Sequence, residues 1–380
     1  MTQNMGPEEG ELVDRAIEWL TAAVPSAWSV QRSNWSVAGS NLPQPQSLAD
    51  DAIDVRGPNT AVTFIVEGKR SFSARDAERM FSGRIPRTLR ALNSSTPILV
   101  ISEWLSPRTR ELLEEQRVNY LDLTGNALIR LDYPVVFIRS AGAIRAPKSA
   151  ARGQVRLRGA KAGRVVRLLL DVRPPYGVRE LAAASGVAVS YVSRLLDSLD
   201  RDALLERTAR GRVESVDVAR LLRRWAESYD VFTTNQATAF LGPKGTKDVM
   251  ERVWSRGQTS RARVAITGSF AAVRIAPVAA PRLLILYADQ TEELAALLGL
   301  LPADEGSNVV LLDPYDPVVW NRNSYVEGQR FVAASQTAID CLSGNGRMPA
   351  EGEALVAWMV ENESVWRIAS LDKLPKEEGS

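Results

Sequence analysis

The sequence predicts a multidomain α/β protein with a helical segment at its centre. At 380 residues the chain is longer than one hydrophobic core usually organises. Strand-like and helix-like stretches alternate over residues 1 to about 140 and again from about 231, the pattern of layered α/β structure. Between them, residues 161–230 carry apolar positions at helical spacing. The expected organisation is an α/β domain over 1–140, a basic linker over 141–160, a helical domain over 161–230 and a second α/β domain over 231–370.

In the first region Glu11–Ala23 reads as a helix, "AIDVRG" and "AVTFIVEGKR" as strands, "SARDAERMFSG" as a helix and "TPILVIS" as a strand. "SPRTRELLEEQRV" starts a helix with Ser106 as N-cap and Pro107 at the first helical position, where its missing N–H costs nothing. "NYLDLTGNALIRL" and "PVVFIRS" add strands around a Gly-Asn turn, with Asp122 and Asn126 placed to hold that turn and satisfy backbone groups. The last region runs helix "TKDVMERVWS", strand "RARVAITG", a Gly-Ser turn, strand "RLLILYAD", helix "TEELAALLGL" and strand "SNVVLLDP". Helices "SQTAIDCLSG" and "EGEALVAWMVENE" follow.

The chain has no histidine and one cysteine, Cys341. That excludes an internal disulfide, the usual zinc ligand sets, and Ser-His-Asp or Cys-His catalysis. Any reaction chemistry would fall to carboxylates, Lys, Ser or Tyr with a hard cation; no metal or cofactor is expected. No apolar run is long enough to cross a bilayer, and "MTQNMGPEEGELVDRA" is acidic and polar, so a cytoplasmic protein without a membrane partner is expected. The formal charge of +2 hides an uneven distribution. From Arg139 to Arg173 there are ten Lys/Arg and one acid, Asp171. A local field of that sign suits a polyanion; the alternative is a solvated basic linker.

The central segment is the most informative. "AGRVVRLLLD", "VRELAAASG" and "SYVSRLLDSL" each carry an apolar helical stripe, the last through Val192, Leu195, Leu196 and Leu199. A helix-turn-helix needs a small residue where its helices cross, a glycine in the left-handed turn and an apolar residue inside the second helix. Ala182, Gly186 and Val192 supply these at matching spacing. Ser190, Tyr191, Ser193, Arg194 and Asp197 are then left toward solvent on the second helix, with Ser190 also placed to cap it. "ALLERTARGRVESVD" has two strand-like arms around Gly211, from which Arg207, Arg210 and Arg212 project. Over about 155–220 the segment resembles the winged helix-turn-helix family. The resemblance implies that Ser190, Tyr191, Ser193 and Arg194 meet base edges and phosphates in the major groove, and that the wing arginines meet the backbone. Lys161, Arg164 and Arg167, on or near the first helix, are expected to hold phosphates.

In the first region Asp54 ends "DDAID" and Glu67-Gly68-Lys69 ends the next strand. Acids at neighbouring strand ends could hold Mg²⁺, with Lys69 on the face of Glu67 to position a water. The pattern resembles the PD-(D/E)xK restriction-endonuclease-like fold. Ile53 stands where that motif has proline, so the expectation is a degenerate endonuclease-like scaffold with no catalytic residue assigned. A metal-dependent nuclease using Asp54, Glu67 and Lys69 is the alternative.

"VAITGSFAAVRIAPVAAPRLLILYAD" has the strand, Gly268-Ser269 turn and second strand of a nucleotidyltransferase, but offers only Asp289 where two metals need paired carboxylates. A degenerate form of that fold is expected. "TGSFAA", "DPYD", "SQTAIDCL" and "GRMPAEGEAL" resemble the C-terminal part of AbiEi-like proteins of type IV toxin–antitoxin systems, over most of 231–360. In that family the antitoxin represses its own operon and its cognate toxin is a nucleotidyltransferase. This chain departs by placing its winged helix centrally. Asp313, Tyr315 and Asp316 are expected to close a turn. The leading expectation is a sequence-specific double-stranded DNA-binding transcriptional regulator, homodimeric; the alternatives are a nuclease, or an antitoxin that neutralises a partner toxin.

Overall fold

A computed structural model describes residues 7–33, 51–82, 97–132, 135–144, 156–257, 263–303 and 305–374. Most of the expected basic linker, at 145–155, lies outside these residues. The chain forms two compact units: Met1–Gln154 with Asp200–Ala203, and Val155–Leu199 with Leu204–Ser380.

The first unit is a seven-stranded sheet whose strands lie in chain order. After α1 (Pro7–Ala23), strands β1 (Ser29–Ser33), β2 (Asp51–Gly57) and β3 (Thr60–Gly68) form an antiparallel meander. Helix α2 (Ala74–Ser82) follows, and β4 (Ile98–Ser102) joins β3 in parallel. Helix α3 (Pro107–Glu115) carries the chain to β5 (Asn119–Asp122), parallel to β4; β6 (Ala127–Leu131) and β7 (Val136–Ser140) return antiparallel. Side chains alternate between two covered faces. Phe64, Val66, Leu99, Ile101 and Leu121 pack with Leu12, Val13, Ala16 and Leu20 of α1. Ile98, Val100, Tyr120 and Leu128 pack with Ala77 of α2 and Leu112 and Leu113 of α3. Burial on both faces is why β4 reads as an unbroken apolar run.

Two local expectations are visible here. The Ser106 hydroxyl accepts from the Thr109 amide at 3.1 Å, with Pro107 opening α3. Asp122, 1% exposed, accepts from the Thr124 and Asn126 amides and the Leu105 amide, while the Asn126 side-chain carbonyl accepts from Arg110 and the Gly142 amide. These residues hold the turn.

The second unit begins with α4 (Ala160–Asp171), α5 (Val178–Ser185), α6 (Val189–Arg201), the hairpin β8 (Leu205–Arg207) and β9 (Val213–Val216), α7 (Val218–Ala226) and the short α8 (Val231–Thr234). A second seven-stranded sheet follows, built from β10 (Gln236–Leu241), β11 (Val264–Thr267), β12 (Leu284–Ala288), β13 (Leu301–Pro302), β14 (Val309–Asp313), β15 (Ser324–Val326) and β16 (Gln329–Phe331). Their spatial order is β13-β10-β14-β12-β11-β16-β15. Between strands lie α9 (Gly245–Gly257), α10 (Ser269–Ala272) and α11 (Thr291–Leu298), and after them α12 (Ala334–Leu342), α13 (Met348–Glu361) and α14 (Glu363–Trp366). Ile266, Leu284, Leu286, Val309 and Leu311 face Val249 and Val253 of α9 and Leu294 and Leu298 of α11.

The opposite face carries Ala265, Ile285, Tyr287, Val310 and Leu312. It belongs to one continuous core that includes the central helices and runs from Leu157 to Met359. The boundary expected near residue 230 therefore does not separate two cores. Periodicity marks where one element type gives way to another, and leaves open which partner each apolar face is buried against.

A polar cluster sits inside this shared core. Asp340 of α12 is fully buried and accepts from the Tyr229 hydroxyl at 2.8 Å, Tyr287 at 3.1 Å, Gln336 at 2.8 Å and Thr267 at 2.5 Å. Asn235 donates to both tyrosine hydroxyls. Burial raises the Asp340 carboxyl to about 6, against the lowering effect of its four donors. A carboxyl raised in the folded state favours folding where it is protonated. Its contribution should be complete below about 3.8 and lost as pH rises through about 6. The stability of the wild type relative to Asp340→Asn, from denaturant titrations, is therefore expected to increase as pH falls across that window. A pH-independent difference would count against the raised carboxyl.

Candidate nucleic-acid interface

Helix α5 ends at Gly186, whose φ of 64° and ψ of 25° lie in the left-handed region. Its amide and that of Val187 both reach the Ala182 carbonyl, so the chain reverses within two residues. A side chain at Gly186 would be strained in that conformation. Ala182 and Val187 are buried beneath the turn, and Val192, Leu195, Leu196 and Leu199 are the inner face of α6. Helix α6 begins at Val189, with the Ala188 carbonyl accepting from Tyr191 and Val192. Ser190 thus lies inside the first turn and does not cap the helix.

On the outer face Ser190 and Arg194 are exposed, and Tyr191 and Ser193 are half-buried. Arg194 reaches back to the Ser190 carbonyl at 3.3 Å. Strands β8 and β9 pair antiparallel, with a bulge at Glu206/Arg207 and the tip at Gly211. Arg210 is exposed at that tip. Arg212 is half-exposed and pairs with Glu180 of α5 at 3.2 Å. Arg207 is mostly covered: it holds Asp197 of α6 at 2.5 Å and the Gly211 carbonyl at 3.2 Å. The hairpin is thereby fastened to both α5 and α6.

The basic residues of α4 divide. Lys161 is exposed at its start. Arg164 grips Asp316 with two nitrogens, Nε at 3.0 Å and Nη2 at 2.9 Å, and its guanidinium lies beside Gly186. Asp316 also accepts from the Val318 amide, closing the expected turn.

Arg167 does not reach phosphates. It is fully buried, bonded to Asp171 at 3.2 Å, Gln336 at 2.7 Å and the Asn321 carbonyl at 3.1 Å. Arg322 and the Ser335 hydroxyl complete the shell of Asp171. Burial alone would raise the Asp171 carboxyl, but the two arginine charges and the hydroxyl outweigh it and hold it below the ordinary range. Arg167 is a core residue because α4 lies against the segment that follows β14.

The endonuclease-like residues are not brought together. The β2–β3 register sets Asp54 opposite Thr63, whose hydroxyl donates to it at 2.7 Å, while Arg56 binds its other oxygen. Glu67 lies four residues farther along β3, about 13 Å at strand spacing. Lys69 is occupied by Asp76 at 2.6 Å. No group of three acidic, His or Cys side chains suited to a metal occurs among the described residues. In the last region the Ser269 hydroxyl is buried and donates to Glu351, and Asp289 holds the Arg263 amide and guanidinium. Both are engaged in holding structure.

Asp197 is exposed as expected, but its pairing with Arg207 escaped the sequence reading, as did Glu180 and the buried set of Tyr229, Asn235, Tyr287, Gln336 and Asp340. A signal existed for the last two, since a four-residue spacing puts Gln336 and Asp340 on one face of a helix whose other residues are small or apolar. No known protein-family profile, curated protein or solved structure matches the chain. No helix among the described residues is long and apolar enough to cross a membrane.

Removing one member of a buried ion pair leaves its partner uncompensated, typically at a cost of about 3–5 kcal/mol. Arg167→Ala is expected to lower the unfolding free energy by about that amount.

Proposed function

We propose that this protein is a sequence-specific double-stranded DNA-binding transcriptional regulator acting through α5, α6 and the β8–β9 wing. One observation carries the proposal. The tight left-handed turn at Gly186 buries the apolar stripe of α6 and leaves Ser190 and Arg194 outward at its N-terminal turn, with Arg210 at the tip of an adjacent wing. An exposed N-terminal turn of that kind fits the major groove, and an arginine there matches the O6 and N7 acceptors of guanine. Arg210 and Lys161 suit phosphates, which fix register without reading sequence.

The resemblance of residues 231–360 to AbiEi-like antitoxins adds repression of its own operon, with a cognate toxin as a further partner. A two-fold homodimer would place its half-sites about one helical turn apart.

Selection of bound duplexes from a random pool tests this reading. It should yield a defined site, and Arg194→Ala should weaken binding to that site far more than binding to random duplex. Arg210→Ala should weaken both alike and reduce the slope of log Kobs against log salt by about 0.9. A pool that shows no enrichment, or equal losses on both duplexes for Arg194→Ala, would refute base reading by α6.

A further inference from the structure

Two carboxylates stand within the surface that the proposed reading presents to DNA. Glu180 of α5 is half-exposed and holds Arg212, and Asp197 of α6 is more than half-exposed and holds Arg207. Asp197 follows Ser190 and Arg194 at spacings of seven and three residues, so it extends their outward stripe along α6. Glu180 also accepts from the Gly177 amide at 2.8 Å, which fixes it at the first turn of α5, close to Arg212.

We infer that Glu180 and Asp197 are attenuating residues, which hold wing arginines back from the phosphate backbone and so lower the affinity of this surface for duplex of any sequence. The inference rests on the DNA-binding reading and concerns how strongly that surface holds DNA. An arginine already paired with a carboxylate gains less from a phosphate, because the bond it gives up offsets the bond it makes. The carboxylate left behind then faces a polyanion, which is repulsive. Both effects act on any duplex. At a cognate site, base contacts by α6 keep the affinity high; on random DNA nothing does, so the same penalty leaves random duplex weakly held. The pairs therefore lower the absolute affinity for both duplexes and leave the ratio between them unchanged.

Glu206 and Glu214 are also exposed on the hairpin, where Glu206 accepts from the Ser215 hydroxyl at 3.1 Å. Glu227 pairs with Arg224 three residues away at the end of α7, and contacts neither the turn helices nor the wing in any bond seen here.

The test uses the full-length protein and two probes, a duplex of random sequence and the selected site. Glu180→Gln keeps an acceptor for the Gly177 amide and removes the charge; Asp197→Asn does the same toward Arg207. Each is expected to bind both duplexes severalfold more tightly. The slope of log Kobs against log salt should steepen by about 0.9 for each arginine released, and the ratio of specific to random affinity should stay unchanged. Glu227→Gln, the control for a simple change in net charge, should produce a smaller effect. The inference is overturned if Glu180→Gln leaves random-duplex affinity and slope unchanged, or if Glu227→Gln matches it. Weaker binding by Asp197→Asn would mean that this carboxylate serves only to hold the wing. A wild type that binds no duplex would instead sink the DNA-binding reading, before any variant is compared.

Discussion

The second unit depends on a charge that is hidden from water. Arg167 lies at the centre of α4 with no exposed surface, and its guanidinium is bonded to Asp171, to Gln336 and to backbone carbonyls after β14. Burying such a group is favourable only when its hydrogen-bonding capacity is met and its charge is balanced. Asp171, shared with Arg322 and Ser335, supplies the balance. These bonds are directional, so they fix the rotation of α4 about its axis more tightly than the surrounding leucines and valines could. Arg164, one turn earlier, is then brought to Asp316 and to the side of Gly186. The orientation of α5 and α6 relative to the second sheet follows from that arrangement. Asp340 and the two tyrosine hydroxyls repeat the same logic deeper in the core, joining the end of the helical segment to β12 and α12.

A consequence concerns the arginines that remain outside. Of the ten residues expected to meet DNA, Arg167 serves the core, Arg164 is gripped by Asp316 and Arg207 braces the β8–β9 hairpin against α6. The exposed basic set on this surface is smaller than a count of Lys and Arg suggests, and part of it is matched by acids. A surface of this composition attracts a polyanion less strongly than an unopposed basic stripe would.

What was legible in the sequence was whatever a local segment dictates by itself. Ala182, Gly186 and Val192 were readable because a tight helical turn imposes residue types within a few positions of itself. Ser106 and Pro107 were readable for the same reason, as was the Asp122–Asn126 turn. The fate of Arg167 was not readable. Four residues before Asp171 it looks like a surface pair along a helix, and its burial depends on chain about 150 residues away. The missing boundary near residue 230 has the same origin. The apolar faces of α4 to α7 are visible as periodicity, while the sheet face against which they are buried lies later in the chain.

Strand register settles the first unit in a related way. Alternation along β3 places Glu67 and Lys69 on one face, which the sequence displays plainly. Whether Asp54 joins them depends on how β2 is aligned with β3, and that alignment is set by the apolar faces of both strands together. Ile53 and Val55 must share the α1 side with Phe64 and Val66, and among the registers that meet this condition the observed one pairs Asp54 with Thr63. Slipping the pairing by one residue would turn Ile53 and Val55 toward the other face, and slipping it by two would break the Gly57–Thr60 pair that closes the short loop between the strands. The packing that stabilises the hairpin therefore keeps the two acids apart. An acidic pair spaced suitably along the chain becomes a metal site only where the core permits the register that joins its members.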